Sequence, residues 1–158
     1  MSTASDTSGV RLFPPAVYIG GLIVGYAIQW LVPVRILPPM LDLPGRILGV
    51  ALLLAGGGLM FSALSLFRSV GTTPNPTLPT TALTFDGPYR FTRNPMYLGM
   101  ALLLVGFAFI GNALWPLLAV IPAIWIIQTQ VILREEPYLE AKFGGPYADY
   151  KKRVRRWL

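Results

Sequence analysis

Charged and aromatic side chains gather at the start of an apolar stretch, where residues 87–99 read GPYRFTRNPMYLG. Another charged pair, Glu135 and Glu136, follows two apolar stretches later. Ionisable side chains next to lipid are costly and usually face a partner or a cavity. The pattern therefore indicates a site that grips a small charged molecule at a membrane surface.

The residue types that are missing restrict the chemistry of such a site. The chain has no cysteine and no histidine. This excludes disulfides, thiolate nucleophiles and cysteine-ligated metals, and it removes the commonest general base and metal ligand. Any reaction must use carboxylates, tyrosine, arginine, lysine, amides or a bound cofactor. We predict no metal site.

Composition points to the environment in which these residues work. The chain has 158 residues, of which 54% are hydrophobic and 13% charged, and its mean hydropathy is +0.57. A soluble domain of this length needs a more polar surface, so we expect an integral membrane protein. The net charge of +6 comes largely from the C-terminus and predicts topology rather than nucleic-acid binding.

Four apolar segments of near-spanning length follow one another. They cover approximately residues 16–31, 47–67, 96–115 and 116–133, and about 20 apolar residues cross a bilayer. A cleaved signal peptide is disfavoured because Arg11 gives a weak basic start and no small-residue cleavage site follows. We predict a disordered tail (1–15), two N-terminal transmembrane helices (16–70), and a loop, helical hairpin and C-terminal helix (71–158).

The basic residues predict the orientation of these segments. Eleven of them fall on one side of the four segments, and only Arg35 and Arg46 fall on the other. Because cytoplasmic loops carry the excess of lysine and arginine, both termini should be cytoplasmic. The predicted fold class is an all-α membrane protein with four transmembrane helices and a C-terminal interfacial amphipathic helix.

The short connection Gly111-Asn112-Ala113 predicts a tight antiparallel hairpin of segments three and four. Because the hairpin returns the chain to its starting face, residues 93–97 and 135–136 should converge on one pocket at the cytoplasmic boundary. The simpler alternative is that the arginines reach lipid phosphates while the glutamates pair with Arg134 or Lys142.

The segments flanking the hairpin are also informative. The stretch from Arg68 to Arg93 carries four prolines, which favour extended backbone, and a loop of this length is uncommon without a function. Residues 136–144 read as an amphipathic helix that ends at glycine. Four side chains then recur at helical spacing among basic residues, which predicts an interfacial helix on anionic lipid. They are Tyr147, Tyr150, Val154 and Trp157.

At these residues the chain resembles the isoprenylcysteine carboxyl methyltransferase family and its relatives, the small membrane phospholipid methyltransferases. The resemblance is carried by Gly-Pro-Tyr-Arg (87–90), Arg-Asn-Pro-Met-Tyr-Leu-Gly (93–99), Arg-Glu-Glu (134–136) and the tail around Phe143-Gly144, Tyr147 and 150–154. It covers approximately residues 71–157. The first two helices match only in being hydrophobic, and Arg155 stands where the eukaryotic carboxyl methyltransferases have proline.

The resemblance implies that residues 71–158 form a cofactor-binding half, which transfers a methyl group from S-adenosylmethionine to a lipophilic acceptor from the bilayer. Many members have histidine where this chain has Asn94, and an amide can hydrogen-bond a carboxylate but cannot titrate. The implied catalytic residues are Arg93, Glu135 and Glu136. The implied cofactor-binding residues are Tyr89, Arg90, Asn94, Pro95, Tyr97, Leu98, Gly99, Glu135 and Glu136. The candidate substrate-binding residues are Tyr147 and Tyr150.

The methyl acceptor stays open at this level. Tail similarity favours the carboxylate of an isoprenylcysteine-like substrate, which needs no general base. A phospholipid amine must lose a proton, with Glu135, Glu136 or Glu140 as candidate bases, and a small lipophilic thiol is a third option. The hypothesis from another class is a non-catalytic membrane assembly subunit whose charges only anchor it.

Overall fold

The computed structural model describes residues 7–158, and within that range the chain is helical and contains no strand. Six α-helices are joined by two 3-10 turns (Pro39–Leu41 and Gly87–Arg90) and by a π-helical turn (Gln128–Ile132). The helices are α1 Pro14–Leu31, α2 Asp42–Ser69, α3 Pro95–Ile110, α4 Leu114–Ile127, α5 Leu133–Phe143 and α6 Gly145–Arg153.

Three helical stretches are long and apolar enough to cross a membrane: Pro14–Leu31, Pro39–Ser69 and Leu114–Phe143. Helix α3 is apolar but shorter, with 16 residues. Large apolar side chains on the outer faces of these helices, such as Ile23, Leu54 and Trp125, are more than half exposed. Together these features fit an integral membrane protein.

The third apolar segment ends earlier than the sequence indicates. Helix α3 stops at Ile110 rather than near Trp115, because the chain reverses at residues 111–113 and Asn112 adopts a positive φ of 44°. The Asn112 side-chain oxygen accepts hydrogen bonds from the backbone N–H groups of Ile36 and Leu37, at 3.0 and 2.9 Å. The predicted tight hairpin is present, and this amide ties it to the α1–α2 connection.

The N-terminal segment differs from the expected disordered tail. Residues 1–6 lie outside the described part of the chain. Val10 is buried in the core, and the Ser8 hydroxyl donates a hydrogen bond to the carbonyl of Pro76 at 2.7 Å. Helix α1 already begins at Pro14. Residues 7–13 therefore pack against the body of the protein instead of extending from it.

The predicted end of a helix at Gly144 is confirmed, and the helix that follows it is shorter than expected. Gly144 has φ +60°, a conformation that favours glycine, and it ends α5 and leads into α6. Helix α6 ends at Arg153, and Val154 has extended backbone angles. The expectation that Val154 and Trp157 continue the helical spacing is therefore wrong.

Glycines allow α2 and α3 to approach closely. A Cβ on Gly56 would lie 2.7 Å from the carbonyl oxygen of Gly99, and a Cβ on Gly49 would lie 2.8 Å from that of Gly106. The adjacent Gly57 does not take part in this contact, since a Cβ there would meet none of the described residues within 4 Å. This contact fixes the start of α3, where the charged residues lie.

Candidate functional site

The helical hairpin brings the two charged motifs together. Tyr97 lies in the first turns of α3 and Glu135 in the first turn of α5, and the tyrosine hydroxyl donates a hydrogen bond to the glutamate Oε2 at 2.9 Å. Pro95 begins α3, a position that suits proline because its fixed φ matches the helix and its missing N–H is not needed there. The predicted proximity of the two motifs is confirmed.

A π-helical turn precedes the glutamates. Residues Gln128–Ile132 separate α4 from α5, and such turns occur frequently at functional sites. Val131 and Ile132 are buried in the core, and Ile132 also lines the cavity at the site. The turn places one more residue in the helical path than an α-helix would, so it sets the direction in which Glu135 and Glu136 point.

Glu136 is held by two arginines. The Arg156 guanidinium donates two hydrogen bonds to its carboxylate in a bidentate arrangement. They measure 2.8 Å from Nε to Oε1 and 2.7 Å from Nη2 to Oε2. Arg93 lies on the other side, 3.1 Å from Nη1 to Oε1. The alternative pairing of the glutamates with Arg134 is wrong, since Arg134 donates to Gln130 instead.

Arg93 retains unused hydrogen-bonding capacity. Its side chain is 11% exposed. Neither Nε nor Nη1 makes a hydrogen bond with the residues that the structure describes, although Nη1 forms the ion pair with Glu136. A buried donor without an acceptor costs about 1–3 kcal/mol. The Arg93 guanidinium can therefore donate a hydrogen bond to an anionic ligand.

Glu135 presents the opposite charge. Among the described residues no basic side chain forms an ion pair with it, and its carboxylate accepts a hydrogen bond from the hydroxyl of Tyr97. A carboxylate in a cavity is stabilised by a nearby cation. Glu135 can therefore offer a negative charge to a cationic ligand, which would itself favour the ionised carboxylate, while Arg93 offers a positive charge.

The C-terminal residues 154–157, which we call the strap, fold back over the start of α3. The Arg156 carbonyl accepts hydrogen bonds from the Asn94 amide at 2.8 Å and the Thr92 hydroxyl at 3.2 Å. The Arg93 backbone N–H donates to the Arg155 carbonyl at 3.0 Å, and the Trp157 indole donates to Gln128 at 2.8 Å. The strap therefore fixes the segment that carries Arg93.

Aromatic rings form one wall of the cavity. Tyr147 and Tyr150 line the same cavity as Arg93 and Glu135, and the Tyr150 hydroxyl donates to the Tyr89 carbonyl at 2.8 Å. The rings of Phe85 and Tyr150 lie 4.5 Å apart between centroids. Burial, reinforced by the carboxylate of Glu136, raises the pKa of Tyr147 to about 12, so its hydroxyl stays protonated.

The proline-rich loop forms another part of the wall. Residues 73–76, Thr80 and residues 82–85 line the cavity. The Tyr138 hydroxyl on α5 accepts a hydrogen bond from the Thr80 backbone N–H at 3.2 Å. The expected extended loop is therefore present between α2 and the 3-10 turn Gly87–Arg90, and it closes the site from the side of α5.

Most of the sequence-predicted residues line this cavity, namely Tyr89, Arg93, Asn94, Pro95, Tyr97, Glu135, Glu136, Tyr147 and Tyr150. Three do not. Arg90 is exposed and pairs with Asp86 at 2.9 Å. Leu98 lies outside the lining, and Gly99 faces Gly56 and Met60 of α2. No group of acidic residues within 7–158 is arranged to hold a metal ion.

Sequence reasoning missed the residues that organise the site from a distance. Arg156, Thr92 and Gln128 appear in none of the predicted sets, yet they hold Glu136 and the strap in place. The sequence offered one signal for Arg156, a basic residue close to the end of a tail that resembles a methyltransferase tail. Its carboxylate partner is 20 residues away and invisible to local patterns.

Replacing Arg156 with leucine is expected to destabilise the fold by about 1–2 kcal/mol. Hydrogen bonds to a charged group contribute about 1.5–3 kcal/mol, and the partial exposure of Arg156 reduces this. The neighbouring Arg155 is exposed and contributes only its backbone carbonyl to the strap, so Arg155→Leu should change stability by less than about 0.5 kcal/mol. The unfolding midpoints of the two variants, measured in the same detergent, test this prediction. Equal shifts would contradict a stabilising contact between Arg156 and Glu136.

Comparison with known proteins agrees with the site. A model of the phospholipid methyltransferase family matches residues 44–145, which is well over half of the chain and includes Arg93, Glu135 and Glu136. An uncharacterized protein of Haemophilus influenzae is 49% identical over 65 residues, which are 40% of this chain and 100% of that protein. No solved structure matches the chain.

Proposed function

The chain belongs to the phospholipid methyltransferase family, and on that premise we propose that it transfers a methyl group from S-adenosylmethionine to a lipophilic acceptor. Membership of the family and the apolar helices fit a membrane methyltransferase. The observation that carries the choice of donor is the pair of opposite, incompletely satisfied charges in one cavity. These are the guanidinium of Arg93 and the carboxylate of Glu135.

The side chains of the cavity fit the charges of this donor. S-adenosylmethionine has a carboxylate, an ammonium group and a sulfonium. The buried Nε of Arg93 would bind the carboxylate, and the Asn94 side chain lines the cavity beside it. Glu135 would offset the positive charge of the sulfonium. Glu136 already has two arginine partners, so its role is to hold Arg93 and the strap in place.

When bound, S-adenosylmethionine supplies an activated methyl group. The protein therefore needs only to align the donor with the acceptor and to desolvate them, without activating the methyl group. Tyr97 fixes the rotamer of Glu135 by its hydrogen bond. The aromatic wall of Tyr147 and Tyr150 and the proline-rich loop line the cavity and would limit the access of water to a bound donor. Alignment and water exclusion of this kind are worth several kcal/mol in displacement reactions. Neither histidine nor cysteine is required.

The leading acceptor is the carboxylate of an isoprenylcysteine-like substrate. Tyr147 and Tyr150, which line the cavity, would contact this substrate. The similarity of the tail to carboxyl methyltransferases supports it, and a carboxylate attacks without a base. The second candidate is a phospholipid amine, favoured by the family match and by Glu135, whose carboxylate has no basic partner among the described residues and is able to accept the amine proton.

We further propose that all four apolar segments cross the membrane, with both termini and the site at the cytoplasmic face. The distribution of arginine and lysine supports this orientation. Helix α3 rises only about 24 Å at 1.5 Å per residue, and local thinning of the bilayer would accommodate an apolar helix of that length. The acceptor would then enter from the bilayer at the depth of the cavity.

Purified protein incubated with radiolabelled S-adenosylmethionine and a membrane extract should produce labelled product in the lipid phase. Label released as methanol by base identifies an ester and the leading acceptor, whereas base-stable label in phospholipid identifies N-methylation. A boiled sample and a membrane extract without the protein are the controls. Absence of both donor binding and labelled lipid would contradict the proposal and favour a non-catalytic assembly subunit.

A further inference from the structure

A second cavity lies between α1, α2 and α3, and we call it the α1–α3 groove. Apart from one tyrosine, every side chain that lines it is apolar. Methionines contribute on two sides, and their flexible, polarizable side chains adapt to ligands of variable shape. The principal lining residues are Tyr18, Ile19, Leu22, Met60, Met100 and Phe107.

Tyr18 is the unusual member of this lining. Its side chain is buried, with 4% exposure, and its hydroxyl has no hydrogen-bond partner in the described part of the chain. Leaving a buried hydroxyl unpaired costs about 1–3 kcal/mol. A purely structural role at this position would be served by phenylalanine. The hydroxyl therefore indicates a ligand that brings an acceptor oxygen into an otherwise apolar groove.

The position of the groove connects it with the candidate site. Tyr18 packs in the same buried cluster as Tyr97 and Met100, and Tyr97 lines the cavity that contains Arg93 and Glu135. The opposite side of the groove reaches the outer surface, where Ile19 is 56% and Phe107 is 42% exposed. A ligand in the groove thus has one end near the site and its apolar body open to the surrounding lipid.

We propose that the α1–α3 groove binds one acyl chain of an ester lipid, and that the ester carbonyl accepts a hydrogen bond from the Tyr18 hydroxyl. The groove follows α3 from Met100 to Phe107, a rise of about 10 Å, which suits an extended hydrocarbon chain. The carbonyl supplies the acceptor that Tyr18 lacks. That this lipid is also the methyl acceptor rests on the proposed function, whereas the binding itself does not.

Photocrosslinking in lipid nanodiscs tests the groove directly. The probes are a fatty acid methyl ester with a diazirine in its chain and an alkane of the same length that lacks the ester. Mass spectrometry should locate the ester probe on α1 and α3 residues of the groove. Tyr18→Phe should lower ester labelling there about threefold to tenfold and leave alkane labelling unchanged, as expected for loss of one neutral hydrogen bond.

Tyr26→Phe is the matched control, because Tyr26 is also on α1 but its hydroxyl donates to the Phe107 carbonyl and it does not line the groove. Tyr18→Phe should leave the unfolding midpoint in lipid-free detergent unchanged or raised, since it removes an unpaired hydroxyl. Labelling spread evenly over all lipid-facing helices, which means bulk lipid only, would overturn the proposal. So would an equal loss of ester and alkane labelling in Tyr18→Phe.

These outcomes are separable from the outcome of the methyl-transfer assay, because crosslinking requires no methyl donor. Groove labelling without methyl transfer would leave the lipid site standing and contradict the proposed function. If Tyr18→Phe left methyl transfer unaffected and labelling were spread evenly, the proposed methyltransferase activity would stand. The proposed lipid site in the α1–α3 groove would then be contradicted.

Discussion

Replacing Glu135 with glutamine is expected to weaken binding of S-adenosylmethionine about 10- to 150-fold. Glutamine keeps the shape of the side chain and an oxygen that accepts the Tyr97 hydrogen bond, so the change removes only the negative charge. Interactions with a charged partner contribute about 1.5–3 kcal/mol, and 1.4 kcal/mol corresponds to a factor of ten. Titration calorimetry on the detergent-solubilised protein measures the loss.

The comparison with S-adenosylhomocysteine makes this prediction specific. That product has no sulfonium, so Glu135→Gln should weaken its binding much less than it weakens binding of the donor. Glu140→Gln is the matched control, because Glu140 pairs with Lys151 at the surface, 2.8 Å away, and does not line the cavity. Equal losses for the two ligands would show that Glu135 does not face the sulfonium.

Replacing Arg93 with glutamine is expected to weaken donor binding by a similar factor, but through the other end of the ligand. The variant loses the buried guanidinium, whose Nε has no hydrogen-bond partner within residues 7–158. Glu136 keeps its paired contact with Arg156, so the carboxylate is not left uncompensated and the fold should persist. Binding of decarboxylated S-adenosylmethionine should change little, because it lacks the carboxylate that Arg93 is proposed to bind.

Arg90→Gln is the control for a general loss of positive charge from the same segment, since Arg90 is exposed and pairs with Asp86. It should bind both donors with nearly wild-type affinity. If Arg93→Gln weakened binding of the carboxylated and decarboxylated donors alike, Arg93 would have a structural role at the site rather than a role in recognising a carboxylate.

The site was predictable to the extent that it depends on connectivity. A three-residue turn between two apolar segments requires an antiparallel hairpin, so Tyr97 and Glu135 had to lie near each other. The strap was not predictable, because helical spacing assigned Val154 and Trp157 to a continuing helix. Helix α6 instead ends at Arg153, and extended backbone beyond it reaches the start of α3.

Two residues that were predicted to bind the cofactor, Arg90 and Gly99, do not line the cavity, and they show why a motif alone assigns too many residues to a site. Arg90 belongs to the same short motif as Tyr89, but Asp86 stands four positions before it and offers a nearer partner at the surface. Gly99 also belongs to the motif, yet its lack of a side chain serves contact with Gly56 and Met60 of α2. A motif records that residues occur together without stating which of them face the ligand.

The π-helical turn at Gln128–Ile132 has a consequence for how this protein can change over time. It offsets the helical phase of α5 from that of α4 by about one residue, or about 100°. Deleting one residue within the turn would restore an α-helical turn and leave Glu135 and Glu136 nearly where they are, because the turn already contains the extra residue. Deleting one residue from α4 itself would instead rotate both glutamates by about 100° relative to the start of α4, so tolerance to deletion should be confined to the turn.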